Sequence, residues 1–313
     1  MPHFSKRGSD FRPAMRPAPV TGEFIAPTST PRPRGSSVGP REVAPAAPRP
    51  VSTPAAPLPG SRSGPARDEL KLCGLAAVRA RFARDPASIQ RLFFDHATGQ
   101  RVGVICRVLS QAKKIYRQVE PAELEKISGS IHHGGIVAVV APPPLRAATA
   151  EEAAKWVKRA ETVLVLDRIG NAHNLGAIAR TAAFFGVKHV VIPDHAGAAR
   201  PSDAAHRVAE GGFEHLEVWL AKDLVGLAND LTTAGYEVVA ATTRGGRPEA
   251  PRRERGAKPV ALVLGNEEHG LAPDLVAACT RAVTIPGSGK LESLNVSVAA
   301  AVLMWELLAR KTT

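Results

Sequence analysis

The chain has 313 residues, a hydrophobic content of 44% and a formal net charge of +12, which allows about two domains with real cores. The basic excess favours a polyanionic partner, with nucleic acid first, although charge can also simply keep a protein in solution. Three cysteines in apolar surroundings argue against a disulfide framework or a metal site. With no long apolar run and no apolar signal at the N-terminus, we expect a cytoplasmic protein without a membrane span.

The first 66 residues are rich in proline and arginine. They hold 15 of the 27 prolines, and nine basic against three acidic residues give the segment a charge of +6. A segment with so little periodic apolar pattern cannot bury enough surface to offset its ordering entropy. We predict a disordered tail over residues 1–66, which is either a phosphate tether or an inert solubilising extension.

Short alternating elements follow the tail. The pattern predicts a helix at residues 70–82 and strands at 89–94, 102–106 and 135–140. The run Ala-Pro-Pro-Pro at 141–144 cannot donate to a sheet or a helix and predicts a linker. We therefore place a compact α/β domain at residues 67–143, followed by a linker and leading helix at 144–160.

The remaining residues, 161–313, alternate apolar runs with helical stretches. The apolar runs lie at 163–166, 190–192, 217–220, 237–241, 260–264 and 283–285. Such runs, separated by helices, are typical of a mostly parallel sheet buried on both faces. Ligands of these sheets sit beyond the carboxyl ends of the strands, so the residues that follow the runs form the candidate site.

Unusual segments follow three of these runs. After the first, residues 167–181 read DRIGNAHNLGAIART, in which Asn174 stands at a helix start, where Asn caps the backbone. Arg180 is a lone cation on the apolar helix that follows. It either serves a ligand or pairs with a carboxylate for structure.

The other two segments are glycine-rich or polar. Residues 264–271, LGNEEHGL, place Gly265 at a strand end, where a glycine permits close approach of a ligand but is also common in simple turns. Residues 285–297, IPGSGKLESLNVS, place Ser293, Asn295 and Ser297 at a helix start, where they can cap the helix, bind a ligand or do both. The chain has neither G-x-G-x-x-G after a first strand nor G-x-x-x-x-G-K-[ST], which leaves a Rossmann-type site and a P-loop without support.

Together and in this order, the three segments resemble the motifs of the SpoU (TrmH-type) branch of the SPOUT methyltransferase superfamily. The matching stretches are NLGAIART at 174–181, LGNEEHGL at 264–271 and IPGSGKLESLNVSVA at 285–299. Residues 69–143, with SGSIHHGG at 128–135, resemble the L30e-like substrate-binding domain of the same family. The resemblance implies an α/β fold with a mostly parallel sheet and a C-terminal trefoil knot, S-adenosylmethionine as cofactor, and a homodimer with active sites at its interface.

The family's functional positions carry over residue by residue. The resemblance implies cofactor binding, chiefly by backbone groups, at Gly265, Ile285 and Leu294. It implies polar active-site roles for Asn174, Arg180, Glu267, Ser293 and Asn295. Family mechanisms give Arg180 the proton-accepting role, but a guanidinium pKa above about 12 makes orienting the hydroxyl or clamping a phosphate equally physical. The candidate RNA contacts are His132, His133, Arg207, Arg252 and Arg253; the loop of Arg252 and Arg253 can equally be a solvated basic face.

Three residues depart from the family pattern. Ala172 replaces a usual Pro, Glu268 a usual Gly and Gly287 a common Met. None of them removes a presumed catalytic side chain, but Glu268 adds a negative charge close to where RNA should pass. We predict methylation of a ribose 2′-hydroxyl in structured RNA, with ribosomal favoured over transfer RNA. The alternative is a catalytically weak RNA-binding protein that acts in ribosome assembly.

Overall fold

The computed structural model describes residues 69–246, 258–266 and 268–308. The predicted tail at 1–66 and the motif residue Glu267 lie outside these ranges, as do the candidate RNA contacts Arg252 and Arg253. The described residues form two sheets, one of four strands and one of seven. We call residues 69–140 the four-stranded region and residues 146–308 the seven-stranded region.

The four-stranded region alternates short strands and helices. Its elements are β1 (Leu70–Cys73), α1 (Leu75–Arg84), β2 (Ile89–Phe94), α2 (His96–Gly99), α3 (Gly103–Gln111), β3 (Ile115–Gln118), α4 (Pro121–Ser128) and β4 (Ile136–Val140). The strand order is β1-β4-β2-β3, and β4 is antiparallel to both of its neighbours. Leu72, Leu92 and Ile136 are fully buried in its core. The predicted strands at 89–94 and 135–140 are confirmed.

In this region the predicted helix at 70–82 is confirmed only from residue 75 onward, and the predicted strand at 102–106 is wrong. The predicted helix at 70–82 begins instead as β1, because Leu70 and Leu72 alternate into the core, and the helix starts only after Gly74 at φ 88°. The predicted strand at 102–106 lies mostly in α3. There Val102, Ile105 and Leu109 are buried, and this spacing of three and four residues follows a helical period.

The seven-stranded region contains a sheet in which every pairing is parallel. Its elements are β5 (Arg146–Ala147), α5 (Ala150–Lys158), β6 (Val163–Leu166), α6 (Ala172–Phe184), β7 (His189–Pro193), α7 (Asp203–Ala209), β8 (Glu217–Ala221), α8 (Leu224–Ala234), β9 (Glu237–Ala241), β10 (Val260–Leu264), α9 (Pro273–Ala278), β11 (Arg281–Val283) and α10 (Val296–Leu308). The predicted parallel sheet is confirmed. The last strand ends at Val283, earlier than predicted.

Helices cover both faces of this sheet. Residues of α6, α7 and α10 pack on one face around Leu164 and Leu262, and residues of α5, α8 and α9 pack on the other around Val165 and Val263. The strand order is β11-β9-β10-β6-β7-β8-β5. The chain runs outward from β6 through β7 and β8, then crosses to the other side for β9. Such a reversal of strand order opens a crevice at the carboxyl ends of the central strands.

The two regions contact each other through α1 and β1 on one side and α7 with the short 3-10 helix Gly212–His215 on the other. Arg84 Nη1 donates to the carbonyl oxygens of Phe213, Glu214 and Leu216 at 2.9 to 3.0 Å. The backbone N–H of Lys71 donates to Asp203 Oδ1 at 2.9 Å. Among the described helices, none is long and apolar enough to cross a membrane.

Candidate functional site

A cavity of about 780 Å³ lies at the carboxyl ends of β9, β10 and β11. Three loops build its walls: residues 242–244 after β9, Gly265, Asn266 and Gly270 after β10, and residues 284–294 after β11. Val296, Ala299 and Leu303 of α10 add an apolar side. The volume lies in the range of small-molecule and cofactor sites. The crevice predicted by the strand reversal is therefore present.

Gly265 brings two backbone segments of the cavity wall into contact. A Cβ atom at this position would lie 2.5 Å from the carbonyl carbon of Gly270 and 2.7 Å from the N atom of Leu271. Gly270 N–H also donates to the carbonyl oxygen of Asn266 at 2.9 Å. The wall at this point consists of backbone, so any side chain larger than hydrogen would displace it.

The loop after β10 is tied to the loop after β6. Arg168 Nη2 donates to the carbonyl oxygen of Gly270 at 2.9 Å, and Asn266 Nδ2 donates to the carbonyl oxygen of Arg168 at 3.2 Å. Arg168 has φ 55°, which is uncommon for a residue with a Cβ atom. The sequence reasoning did not single out Arg168 or Asn266, although both directly follow strands. Their bonds hold the first two motif loops together.

The structure brings four predicted residues to this cavity. Gly265, Ile285, Ser293 and Leu294 all line it. Their roles stay predictions, but their convergence from separate motifs is a fact of the fold.

The sequence reasoning missed one wall of the cavity, residues 242–244. These residues follow β9, so the general rule on strand ends contained the signal. Thr242 and Thr284 join the two loops, with their Oγ1 atoms 3.2 Å apart. Arg244, a neighbour of Thr242, reaches Glu292 at 3.4 Å in a solvent-exposed pair.

Asn174 and Asn295 meet where α6 and α10 begin. Asn295 Nδ2 donates to Asn174 Oδ1 at 3.1 Å, while Asn295 Oδ1 accepts from the N–H of Ser297 at 2.9 Å. Asn295 therefore caps α10 and also contacts a second motif. The cap of α6 is Asn171, whose Oδ1 accepts from the N–H of His173 at 2.8 Å, and the prediction of Asn174 as the cap is wrong.

Arg180 does not reach the cavity within one chain. It lies six residues beyond Asn174 on α6, which is about 9 Å along the helix axis and on a different face. Its Nη1 atom lies 2.8 Å from Oε1 of Glu210, and both side chains are 57% exposed. The sequence left open whether Arg180 serves a ligand or pairs with a carboxylate. Within the single chain it pairs with the carboxylate of Glu210.

The candidate RNA contacts that the structure describes lie outside the cavity walls. His132 is exposed, and His133 is half-buried in the turn before β4, where its Nδ1 accepts from the N–H of Gly135. Arg207 lies on α7, the helix that packs against β1. No cluster of three or more metal-binding side chains occurs among the described residues.

Altered pKa values occur at the contact between the two regions. Burial, followed by the charge of Arg81, lowers the pKa of His206 to about 3, so its imidazole is neutral at pH 7. Burial raises the pKa of Glu214, which Arg81 and Arg84 oppose. Arg81 Nη2 lies 2.9 Å from Oε1 of Glu214, and both side chains are almost fully buried. This contact therefore contains a buried ion pair.

Two family models match the chain. Residues 161–305 match the SpoU rRNA Methylase family, and residues 71–146 match the family described as RNA 2′-O ribose methyltransferase substrate binding. The chain belongs to the SpoU family of RNA methyltransferases. The resemblance drawn from the three motifs is thus confirmed.

Curated relatives agree with this membership. The chain is 36% identical to the tRNA/rRNA methyltransferase YfiF of Escherichia coli O157:H7, over 76% of this chain and 68% of the relative. A tRNA/rRNA methyltransferase of Haemophilus influenzae is 32% identical, over 76% of this chain and 66% of the relative. The 23S rRNA (guanosine-2′-O-)-methyltransferase RlmB of Nitrosomonas europaea is 31% identical, over 74% of this chain and 88% of the relative. The chain thus spans about two thirds of the length of the first two relatives.

Solved structures share the fold. An AdoMet-bound rRNA methyltransferase from Sinorhizobium meliloti matches with a TM-score of 0.61 and 21% identity, over 76% of this chain and 86% of that one. The SpoU methyltransferase AviRb of Streptomyces viridochromogenes, in complex with AdoMet, matches with a TM-score of 0.59 and 20% identity, over 76% and 88%. The predicted SPOUT-type α/β fold is confirmed, and the trefoil knot stays a prediction from the resemblance.

Proposed function

We propose that this SpoU-family enzyme transfers the methyl group of S-adenosylmethionine to a ribose 2′-hydroxyl of structured RNA, ribosomal rather than transfer RNA. The cavity at the end of β10 supports this proposal most directly. Gly265, Ile285 and Leu294, which the motifs assign to the cofactor, share that cavity, and the Asn174–Asn295 contact lies beside it. Residues from all three motifs thus surround one place.

The cavity fits the cofactor in size and chemistry. Its loops offer backbone groups for the polar edges of an adenosine, and Ile285, Leu294 and Leu303 offer apolar contact for its ring. At Gly265 the backbone of Gly270 and Leu271 occupies the place that a side chain would take, so the wall there presents backbone groups. When bound, S-adenosylmethionine supplies an electrophilic methyl group on its sulfonium.

The chain's own task is to place the ribose hydroxyl and to hold the RNA. The amides of Asn174 and Asn295, fixed against each other, are suited to orient a hydroxyl, and Ser293 adds a further polar group. A guanidinium group is a poor base, so we assign Arg180 a phosphate-clamping or hydroxyl-orienting role. Arg180→Lys should keep much of the activity if the charge alone clamps a phosphate; complete loss with normal RNA and cofactor binding would contradict that role.

We further propose a homodimer formed by α6 and α10. The helix α10, with the sequence VSVAAAVLMWELL, is apolar on nearly all sides, which is typical of a covered helix. Trp305 is nevertheless 58% exposed, and Phe184 of α6 is 83% exposed. Phe185 links the two, with ring centroids 5.2 Å from Phe184 and 6.3 Å from Trp305. This face is a contiguous apolar surface that a second copy can cover.

In the proposed dimer, Arg180 of one copy would lie near the cavity of the other copy. Arg180 and Phe184 are four residues apart on α6 and therefore share one face of the helix. A second copy packed on Phe184 would bring its own cavity towards Arg180. Sedimentation velocity should show a dimer for the wild type and a monomer for Phe184→Glu; a wild-type monomer at micromolar concentration would contradict the proposal.

The four-stranded region supports the choice of RNA. Residues 71–146 match a substrate-binding family model, and several relatives are named 23S rRNA methyltransferases. We therefore assign RNA binding to residues 67–143 and catalysis to residues 161–313. Residues 69–140 carry 11 basic and 6 acidic side chains, and this net charge of +5 favours association with phosphates. Residues 146–308 have no such basic excess, with 18 basic and 19 acidic side chains.

Mass-spectrometric mapping of ribose methylation tests the function. Total RNA from cells with and without the gene is compared, and one 2′-O-methyl site should be missing without it. Wild type should restore the site, Asn174→Ala should not, and His173→Ala, an exposed neighbour on the same helix turn, should restore it. Identical methylation with and without the gene would contradict the proposal.

Calorimetry with S-adenosylmethionine separates the enzyme from the alternative of a catalytically inactive assembly factor. The enzyme should bind the cofactor with a measurable heat. No binding at millimolar cofactor, by a folded protein, would favour the assembly factor.

A further inference from the structure

The dipeptide Gly211-Gly212 lies between the two regions, next to Arg180. A Cβ atom on Gly211 would lie 3.1 Å from Cα of Ala77 in α1, and one on Gly212 would lie 2.9 Å from Cα of Arg180 in α6. Gly211 also has φ 92°, a conformation that favours glycine. The backbone at 211–212 thus contacts the four-stranded region on one side and the helix of Arg180 on the other.

Charged side chains on both sides of this dipeptide connect it to the two regions. Glu214, two residues beyond Gly212, forms the buried pair with Arg81 of α1. Glu210, just before Gly211, pairs with Arg180 of α6 at 2.8 Å. Arg84 adds three hydrogen bonds to carbonyl oxygens of residues 213, 214 and 216. One segment, residues 210–216, therefore binds α1 at one end and Arg180 at the other.

The backbone of Glu210 is held in an unusual conformation. It ends α7 in the left-handed region at φ 46° and ψ 42°, where glycine or asparagine is the common residue. A glutamate in this conformation costs energy that surrounding contacts must offset, and such positions concentrate at functional sites. Its N–H is bonded to the carbonyl oxygen of His206, so the direction in which its side chain leaves the backbone is set by α7.

We propose that Glu210 is a positioning residue for Arg180, and that docking of the four-stranded region through Arg81 and Glu214 holds Glu210 in place. The inference deepens the proposed function, on which it rests, because it gives the region that binds RNA a physical connection to the arginine of motif one. Glu210 itself touches neither substrate nor cofactor. It sets the direction of the Arg180 guanidinium, and loss of that direction slows the reaction without weakening cofactor binding.

The kinetic test uses two variants of the full chain at Glu210. Activity is measured as transfer of radiolabelled methyl groups to total RNA from cells that lack the gene. Glu210→Gln should lower kcat about tenfold, because misplacing a reacting group by about an ångström has effects of this order or larger. KM for S-adenosylmethionine should stay within about twofold, a split that general destabilisation does not produce. Glu210→Asp should restore part of kcat.

The docking arm uses Arg81→Met/Glu214→Gln, which removes both buried charges together. It should lower kcat about threefold with the same unchanged KM for the cofactor. The matched control is Lys155→Met/Glu152→Gln, an ion pair on the surface of α5. It lies outside the residues assigned to RNA binding and to catalysis and should keep wild-type kcat. If Glu210→Gln leaves kcat unchanged or raises it, Glu210 does not position Arg180 and the proposal is overturned.

A spectroscopic arm keeps this inference separate from the proposed function. The Nε–H signal of Arg180, assigned by its absence in Arg180→Lys, should shift in Glu210→Gln and in the Arg81/Glu214 double variant but not in the control. If wild type methylates no RNA, the proposed function fails while this signal still tests the pairing. An Arg180 signal that is the same in Glu210→Gln and wild type would overturn the inference whatever the activity.

Discussion

The cavity wall at Gly265 is formed by backbone atoms, whereas the contact between the two regions is formed by buried side chains. The cavity wall at Gly265 is backbone against backbone, and Ser293 and Leu294 on its rim are exposed. The contact between the regions instead depends on side chains that are almost fully buried, namely Arg81, His206 and Glu214. The wall at Gly265 thus requires that a side chain be absent, whereas the contact between the regions requires particular side-chain atoms to be present.

This difference separates the effects of substitutions. At Gly265, where the cavity wall is closely packed backbone, adding a methyl group should impair binding while the fold survives, because the loops lie at the sheet edge. At the contact, removing one charge should destabilise the fold, because the partner is left buried without compensation. The following four predictions test this contrast, beginning with the largest effect.

Arg81→Met should lower the free energy of unfolding by about 3 kcal/mol, because the carboxylate of Glu214 stays buried without its partner. Urea unfolding measures the change. Arg81→Met/Glu214→Gln should recover more than half of the loss, since no charge is then left alone. A loss below about 1 kcal/mol in the single variant would show that water reaches this pair.

Gly265→Ala should weaken cofactor binding with little change in unfolding. The new Cβ would lie 2.5 Å from the backbone of Gly270, so the loop must shift to relieve the overlap. Restoring the binding shape of the loop at a cost of about 2 kcal/mol would raise Kd roughly 30-fold. Calorimetry with S-adenosylmethionine measures it. Gly287→Ala, in the same cavity but with no atom within 4 Å of its Cβ, is the control and should bind as wild type. Equal affinities of both variants for S-adenosylmethionine would contradict the prediction that close backbone packing at Gly265 shapes the binding site.

His206→Phe should flatten the dependence of stability on pH. In the folded chain the pKa of His206 is about 3, below its ordinary value of 6.5. Below pH 6.5 the unfolded chain therefore binds a proton at this imidazole and the folded chain does not, so the free energy of unfolding decreases as the pH falls towards 3. Between pH 7 and pH 5 this group should cost wild type about 2 kcal/mol. Urea unfolding at both pH values compares the two proteins, and parallel losses would exclude His206 as the cause.

Arg117→Gln should change the free energy of unfolding by less than about 0.5 kcal/mol. Arg117 pairs with Glu123 in the same region as Arg81, but both side chains are largely exposed. Thermal unfolding beside Arg81→Met measures the difference between an exposed and a buried pair. If Arg117→Gln lowered the free energy of unfolding as much as Arg81→Met, the predicted difference between the exposed and the buried ion pair would be wrong.

The periodicity of apolar residues and the rule that ligands bind beyond the carboxyl ends of parallel strands predicted most of the seven-stranded region. Six apolar runs marked the strands that build the sheet, because a strand covered on both faces must be apolar throughout. The same rules failed at residues 70–73, which form β1, and at residues 102–106, which lie mostly in α3. Runs of four or five apolar residues suit a buried strand or a buried helix equally, and packing decides between them.

The candidate site was predicted in its residues but not in its geometry. Gly265, Ile285 and Leu294 came from motifs, while the wall at 242–244 was missed because its threonines match no motif. Glu210 was not proposed as the partner of Arg180, since 30 residues separate them and only the packing of α7 against α6 brings them together.

The sequence by itself determined the family, the parallel sheet and the residues of the three motifs. These depend on local periodicity and on residue types that chemistry demands at strand ends. Tertiary structure alone decided that residues of the second and third motifs line one cavity and that Asn174 of the first motif meets Asn295. It also decided that Arg180 pairs with Glu210 and that residues 210–216 connect the two regions. Such contacts join residues far apart in the chain, and their energies depend on burial and distance, which no local pattern encodes.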